Sequence, residues 1–147
     1  MNEYIPSPLD WVAEQVEQYE GSGGTEGLTL RNTDYPVIIV TNRGWKTGAI
    51  RKTPLMRVAD GPNYILVASN GGAPNNPLWY NNLKKYPDVQ IRDETNVYTM
   101  RVREVVNESE RKRLWAIALE AFPRYQRYQD NANRIIPVFL AEPIESA

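Results

Sequence analysis

Apolar positions along the chain follow two periods. Between residues 10 and 20, DWVAEQVEQYE sets Trp11, Val12, Val16 and Tyr19 near one face, with Glu14, Glu17 and Glu20 off it. That spacing predicts a short amphipathic helix with Asp10 as its N-cap. Gly21 to Gly27 (GSGGTEG) breaks the pattern and reads as a flexible linker. It lacks the Lys and the flanking strand and helix of a phosphate loop.

Beyond the linker the period becomes that of strands. Tyr35 to Val40, Leu55 to Val58, Tyr64 to Ala68, Val89 to Arg92, Val97 to Val105 and Pro137 to Leu140 predict about six of them. Asp60-Gly61 is a hairpin turn signal between two of these runs. Two helices interrupt the strands. One covers Pro77 to Lys85 and stops at Pro87. The other starts near Asn107, whose spacing to Glu110 fits a capping box, and carries Leu114, Trp115, Ala118, Leu119 and Phe122 up to Pro123. Short strands without strand–helix–strand alternation predict a mainly β, α+β fold, a small antiparallel barrel with helices outside. The chain divides into an N-terminal helix and linker, 1–27, and a barrel domain, 28–147.

Composition narrows the chemistry. The 147 residues include no Cys and no His, so disulfides, thiolate nucleophiles and the Ser-His-Asp triad are excluded. Reactions must run through carboxylates, Lys, Arg, Tyr, Ser or Thr, or through an organic cofactor. Net charge is −1, yet the first 30 residues hold six acids and no base, while residues 41 to 60 hold five bases against Asp60 alone. A near-neutral chain with one basic segment carries a local anion site rather than a general affinity for nucleic acid. Neither a signal peptide nor a run near the ~20 residues of a membrane span is visible, so a cytoplasmic location is expected. The apolar side of the first helix could cap a pocket, meet a second subunit to form a homodimer, or lie at a membrane periphery. Its acids argue against an anionic membrane surface.

Three stretches hold candidate chemistry. In NRGWKTGAIRKTPLMR (42–57), Lys46, Arg51 and Lys52 sit on a Gly-turned hairpin with Thr47 and Thr53, a set that binds phosphate or carboxylate; a solvated hairpin explains the same residues equally simply. In ASNGGAPNNPLWY (68–80), a Gly-Gly loop permits close approach to a flat ligand, with Trp79 and Tyr80 serving either ligand or core. In FPRYQRYQ (122–129), Tyr125 and Tyr128 are either hydrogen-bond donors of a site or ordinary half-buried tyrosines.

Taken in order, RGWKTG, RKTPLMR, ASNGGAPNNPLWYNNLK, PRYQRYQ and IPVFLAEP resemble the deazaflavin-dependent nitroreductase family, split β-barrel proteins that bind coenzyme F420. The resemblance spans roughly residues 35 to 143. It implies that Lys46, Thr47, Arg51 and Lys52 hold the cofactor's phosphate and oligoglutamate tail, with Trp45 also among the cofactor-binding residues. It implies that the deazaflavin lies along Thr53, Pro54, Leu55 and Met56, with its edge on Val67, Ala68, Ser69 and Asn70. Leu78, Trp79, Tyr80, Asn81 and Asn82 would close over it. Ser69, Tyr125 and Tyr128 would be catalytic, with Tyr125 beside both cofactor and substrate. Trp45, Asn70 and Phe122 depart from the pattern, standing where a base, a Lys and a third tyrosine are common. The implied activity is hydride transfer from reduced F420 to a quinone, enone or nitroaromatic; an FMN-binding split-barrel reductase and a non-catalytic F420 carrier are the alternatives.

Overall fold

The run PVIIVTNR becomes β1 (Val37–Arg43), buried on both faces over Val37–Val40. Double burial is why it reads as continuous apolar residues rather than as an alternation. β1 pairs with β2 (Ile50–Met56) from Val37↔Met56 to Arg43↔Ile50, closed by a turn at Gly44–Gly48. The remaining strands are β3 (Ala59–Asp60), β4 (Asn63–Val67), β5 (Asp88–Asp93), β6 (Asn96–Glu104) and β7 (Val138–Pro143). All pairings are antiparallel, in the order β2-β1-β5-β6-β7-β4-β3. The sheet thus has seven strands where the sequence suggested about six, because the Asp60-Gly61 turn closes a two-residue β3 too short to read. This computed structural model describes residues 3–144; the ends of the two expected segments, 1–2 and 145–147, lie outside the described residues.

The sheet curls into a half-barrel filled by Ile38, Val40, Leu66, Ile91, Met100, Val102 and Phe139, and α2 (Leu78–Lys85) adds Trp79 and Leu83 to that interior. Its outer face is covered by helices. α1 (Asp10–Gly21) lays Val16 and Tyr19 on Val37 and Ile39. α3 (Glu108–Ala121) and α4 (Arg124–Asn131) bury Leu114, Ala118, Phe122 and Tyr125 against Ile65, Val67, Val138 and Leu140. No helix among the described residues is long and apolar enough to cross a membrane.

Several local expectations change. Leu9, not Asp10, is the α1 N-cap; Asp10 is the first helical residue, where its charge suits the helix dipole. Asn107 does cap α3, its side chain accepting from the Glu110 N–H at 2.9 Å. The α4 helix was not anticipated. Pro123 ends α3 but also takes αR dihedrals (φ −58°, ψ −24°) and opens the next helix, since a helix start needs no proline N–H. Gly21 to Gly27 folds into hydrogen-bonded turns, with Ser22 Oγ accepting from the N–H groups of Thr25 and Glu26. A Cβ on Gly24 would stand 1.8 Å from the Glu94 carbonyl oxygen, so only glycine permits this backbone-on-backbone contact with the β5–β6 turn.

Candidate active site

Period-2 alternation divides the expected residues of β2 between the two faces of the sheet. Arg51, Thr53 and Leu55 lie opposite Asn42, Val40 and Ile38 and so share the interior side with α2. Lys52, Pro54 and Met56 face outward. Lys52 pairs there with Glu20 of α1, which also takes Arg92 Nε at 2.7 Å. Burial pushes the Glu20 carboxyl up, but hydrogen bonds from Lys52 and Arg92 outweigh it and hold it below the usual carboxylate range. Met56 packs both on the α1 cluster and on the cluster holding Val67 and Tyr125. The basic hairpin is therefore not one clamp. Lys46 is exposed and Arg51 half-buried, and neither has a carboxylate partner among the described residues, whereas Lys52 is already neutralised.

Two asparagines fix the hairpin to α2. Asn82 Nδ2 donates to Asn42 Oδ1 (2.8 Å), and the Trp45 N–H donates to Asn82 Oδ1 (2.9 Å). Asn42 Nδ2 in turn reaches the Val40 carbonyl (3.0 Å) and Thr53 Oγ1 (3.2 Å). Lys85 Nζ donates to the Trp45 carbonyl. Thr47 Oγ1 accepts from the Ala49 N–H, shaping the turn that presents Lys46. Asn82 falls within the cofactor set implied by resemblance, but its partner Asn42, which reads from sequence as turn chemistry, is a buried residue of β1.

The second element is the loop after β4. Ala68 is fully buried and Ser69 nearly so. Asn70, Gly71 and Gly72 then form one 3-10 turn at φ +49°, +65° and +83°, positions that Asn and Gly accept. Gly72 abuts α4: a Cβ there would meet the Tyr128 carbonyl oxygen at 3.1 Å. Arg134, which the sequence reading missed, grips this loop. Its Nε donates to the Ala73 carbonyl (3.0 Å), Nη2 to the Ser69 carbonyl (2.9 Å) and Nη1 to Asn76 Oδ1 (2.6 Å), with longer bonds of 3.4 Å to the Ala68 carbonyl.

The tyrosines divide by environment. Tyr125 is 5% exposed, with its ring 4.9 Å from Phe122, 6.3 Å from Trp115 and 6.4 Å from Tyr128. Its hydroxyl makes no hydrogen bond among the described residues; burial, and then Tyr128, push its pKa well above the usual phenol value, so it stays protonated at neutral pH. Tyr128 is half-buried beside Gly72. Phe122 packs between Tyr35 and Tyr125, so the position lacking a hydroxyl is a core position here. Trp79 is core, 5.9 Å from Phe139, and Tyr80 donates to Glu104 Oε1 (2.8 Å). Leu78 and Asn81 are exposed. Val67, the Ser69 turn and the two tyrosines of α4 thus lie together on the outer side of the sheet, and Met56 packs against the same apolar cluster; Trp79 and Leu55 belong to the interior cluster instead.

Two other polar features lie elsewhere. Asp93, 7% exposed, accepts from Tyr64 Oη (2.5 Å) and Arg57 Nε (2.8 Å) at the sheet end opposite the hairpin. A hollow of about 420 Å³ along α1 is lined by Glu14, Glu17 and Glu26 among others, and its carboxylates would repel an anionic ligand.

Residues 11–143 match the protein family described as F420H(2)-dependent quinone reductase. An F420H(2)-dependent quinone reductase of Mycobacterium tuberculosis is 36% identical over 122 residues, 82% of this chain and 81% of that relative. A solved structure of an F420-H2 dependent reductase is 41% identical with a TM-score of 0.69, covering 77% of this chain and 99% of its own. Another, described as a domain-swapped dimer, is 42% identical with a TM-score of 0.71, covering 92% and 100%.

Proposed function

The chain belongs to the F420H(2)-dependent quinone reductase family, and on that premise we propose that it reduces a quinone beside the Gly71-Gly72 turn and α4, with the β1–β2 hairpin holding the anionic end of the cofactor. It is an oxidoreductase, and coenzyme F420 is its cofactor. Bound in its reduced form, F420 supplies the hydride; the protein supplies binding, orientation and electrostatics. The observation that carries the site assignment is the pair Lys46 and Arg51, cations on one hairpin with no carboxylate partner among the described residues. Their chemistry suits a phosphate and a string of carboxylates. Lys52 is the weaker candidate, because Glu20 already answers its charge. Pro54 would back the planar ring from the outer face of β2, and Trp45 would stand with Lys46 at the hairpin. Ser69 and Tyr128 would donate hydrogen bonds to the acceptor oxygen as negative charge builds there, and Tyr125, held protonated by burial, would support them. The reading includes a second copy of the chain, supported by the relative described as a domain-swapped dimer; sedimentation at the mass of a single chain would remove that part.

The test is titration of F420 into the wild type, Lys46→Gln and Arg51→Gln at several salt concentrations, with oxidation of reduced F420 by a soluble naphthoquinone followed by absorbance. Loss of one charge-assisted contact of ~1.5–3 kcal/mol weakens binding by roughly tenfold or more and flattens the salt dependence. Two variants that bind like the wild type would overturn the anion-site assignment. A wild type that leaves naphthoquinone unreduced would overturn the activity.

A further inference from the structure

We infer that Arg134 is a positioning residue for the cofactor, acting through the loop from Ala68 to Asn76: it turns the backbone N–H groups of Ser69 and Asn70 outward as adjacent donors for the acceptor edge of a planar ring. The inference rests on the F420 reading above. Arg134 lies 65 residues from Ser69, yet its guanidinium engages the carbonyls of Ala68, Ser69 and Ala73 and the Asn76 side chain. No carboxylate pairs with it among the described residues, so its charge is directed at the loop's oxygens.

A trans peptide points its C=O and the following N–H in opposite directions. Drawing the Ala68 and Ser69 oxygens toward Arg134 therefore aims the N–H groups of Ser69 and Asn70 away from it. Neither N–H has an acceptor among the described residues, while the Gly72 and Ala73 N–H groups close back onto Ser69 and Asn70. Ser69 is αR (φ −72°, ψ −35°) and Asn70 has φ +49°, an alternation that makes successive N–H groups converge on a shared point. Adjacent donors at a strand end fit the carbonyl oxygens of a pyrimidine-type ring edge. Only a planar fork can hold carbonyls on both sides of the turn at once; a lysine ammonium is a single point.

The test is Arg134→Lys, which keeps charge and stem but loses the fork, with Asn76→Ala as a second variant that removes one acceptor and leaves Arg134 in place. Affinity for oxidised F420 is read from the change in its absorbance and fluorescence on binding, and thermal midpoints are read in parallel. R134K is expected to bind F420 roughly tenfold more weakly and to alter the bound spectrum, because a small displacement of the donors misplaces the ring. N76A should move in the same direction by a smaller factor, and it carries the test alone if R134K does not fold. A lowered midpoint with unchanged affinity and bound spectrum would overturn the inference and leave Arg134 a stability residue. Failure of the wild type itself to bind F420 would instead strike the cofactor reading on which the inference rests.

Discussion

Asn82→Ala is the sharpest probe of how the hairpin is held. The substitution removes the acceptor of the Trp45 N–H and the donor to Asn42 Oδ1. Asn42 is 4% exposed, so its amide oxygen is left without a partner where water cannot easily replace it. A buried acceptor stranded in this way costs about 1–3 kcal/mol, and loss of the part-buried Trp45 bond adds about 1 kcal/mol. The total of about 2–4 kcal/mol corresponds to a fall in thermal midpoint of roughly 5–15 °C for a domain of this length. Because the Trp45 N–H is one of the two anchors, the turn presenting Lys46 loosens, and F420 affinity should fall in the same variant. The assay is thermal and urea unfolding of N82A, Asn42→Ala and the double variant, with F420 titration of each. Removing both amides leaves fewer stranded groups than removing one, so the double variant should lose less than the sum of the singles. Strict additivity, or an N82A midpoint equal to that of the wild type, would refute the claim that this amide pair joins α2 to the hairpin.

Two other substitutions separate stability from function. Tyr125→Phe removes a hydroxyl that makes no hydrogen bond among the described residues, so unfolding free energy should change by less than about 0.5 kcal/mol while quinone turnover falls; unchanged turnover would take Tyr125 out of the mechanism. Glu20→Gln breaks the pairs to Lys52 and Arg92 and should cost about 1–2 kcal/mol, between the values for exposed and buried pairs. Glu20 is held below the usual carboxylate range, so its contribution is complete above that range and is lost as pH falls through the folded value. The wild type should therefore lose its advantage over E20Q on acidification below about pH 5, as read by urea midpoints across pH; an advantage independent of pH would refute the assignment.

Much of the frame was legible because local signals agreed with the fold. Asn107 and Glu110 announced the start of α3, and β-branched runs announced the strands. Tertiary context decided elsewhere. Pro123 carries the same local signal whether it ends one helix or begins another, and only the packing of Tyr125 and Phe122 on the sheet selects the helix. Trp79 and Tyr80 were open between ligand and core, and the interior of the half-barrel claimed Trp79.

The sequence by itself determined the menu of chemistry. Without His or Cys, reactions had to run through other side chains or an organic cofactor; the bases between Arg43 and Arg57 left an anion site and a solvated hairpin equally open, and the ordered motifs, by their resemblance, implied F420. Which cation of that segment is already paired with a carboxylate was decided by contacts distant in sequence. Glu20 takes Lys52 across 32 residues, Asn82 holds the hairpin across 37, and Arg134 sets the Ser69 turn across 65. Hydrogen bonds and ion pairs of this kind depend on where the folded sheet brings two side chains, and no periodicity or composition encodes that meeting.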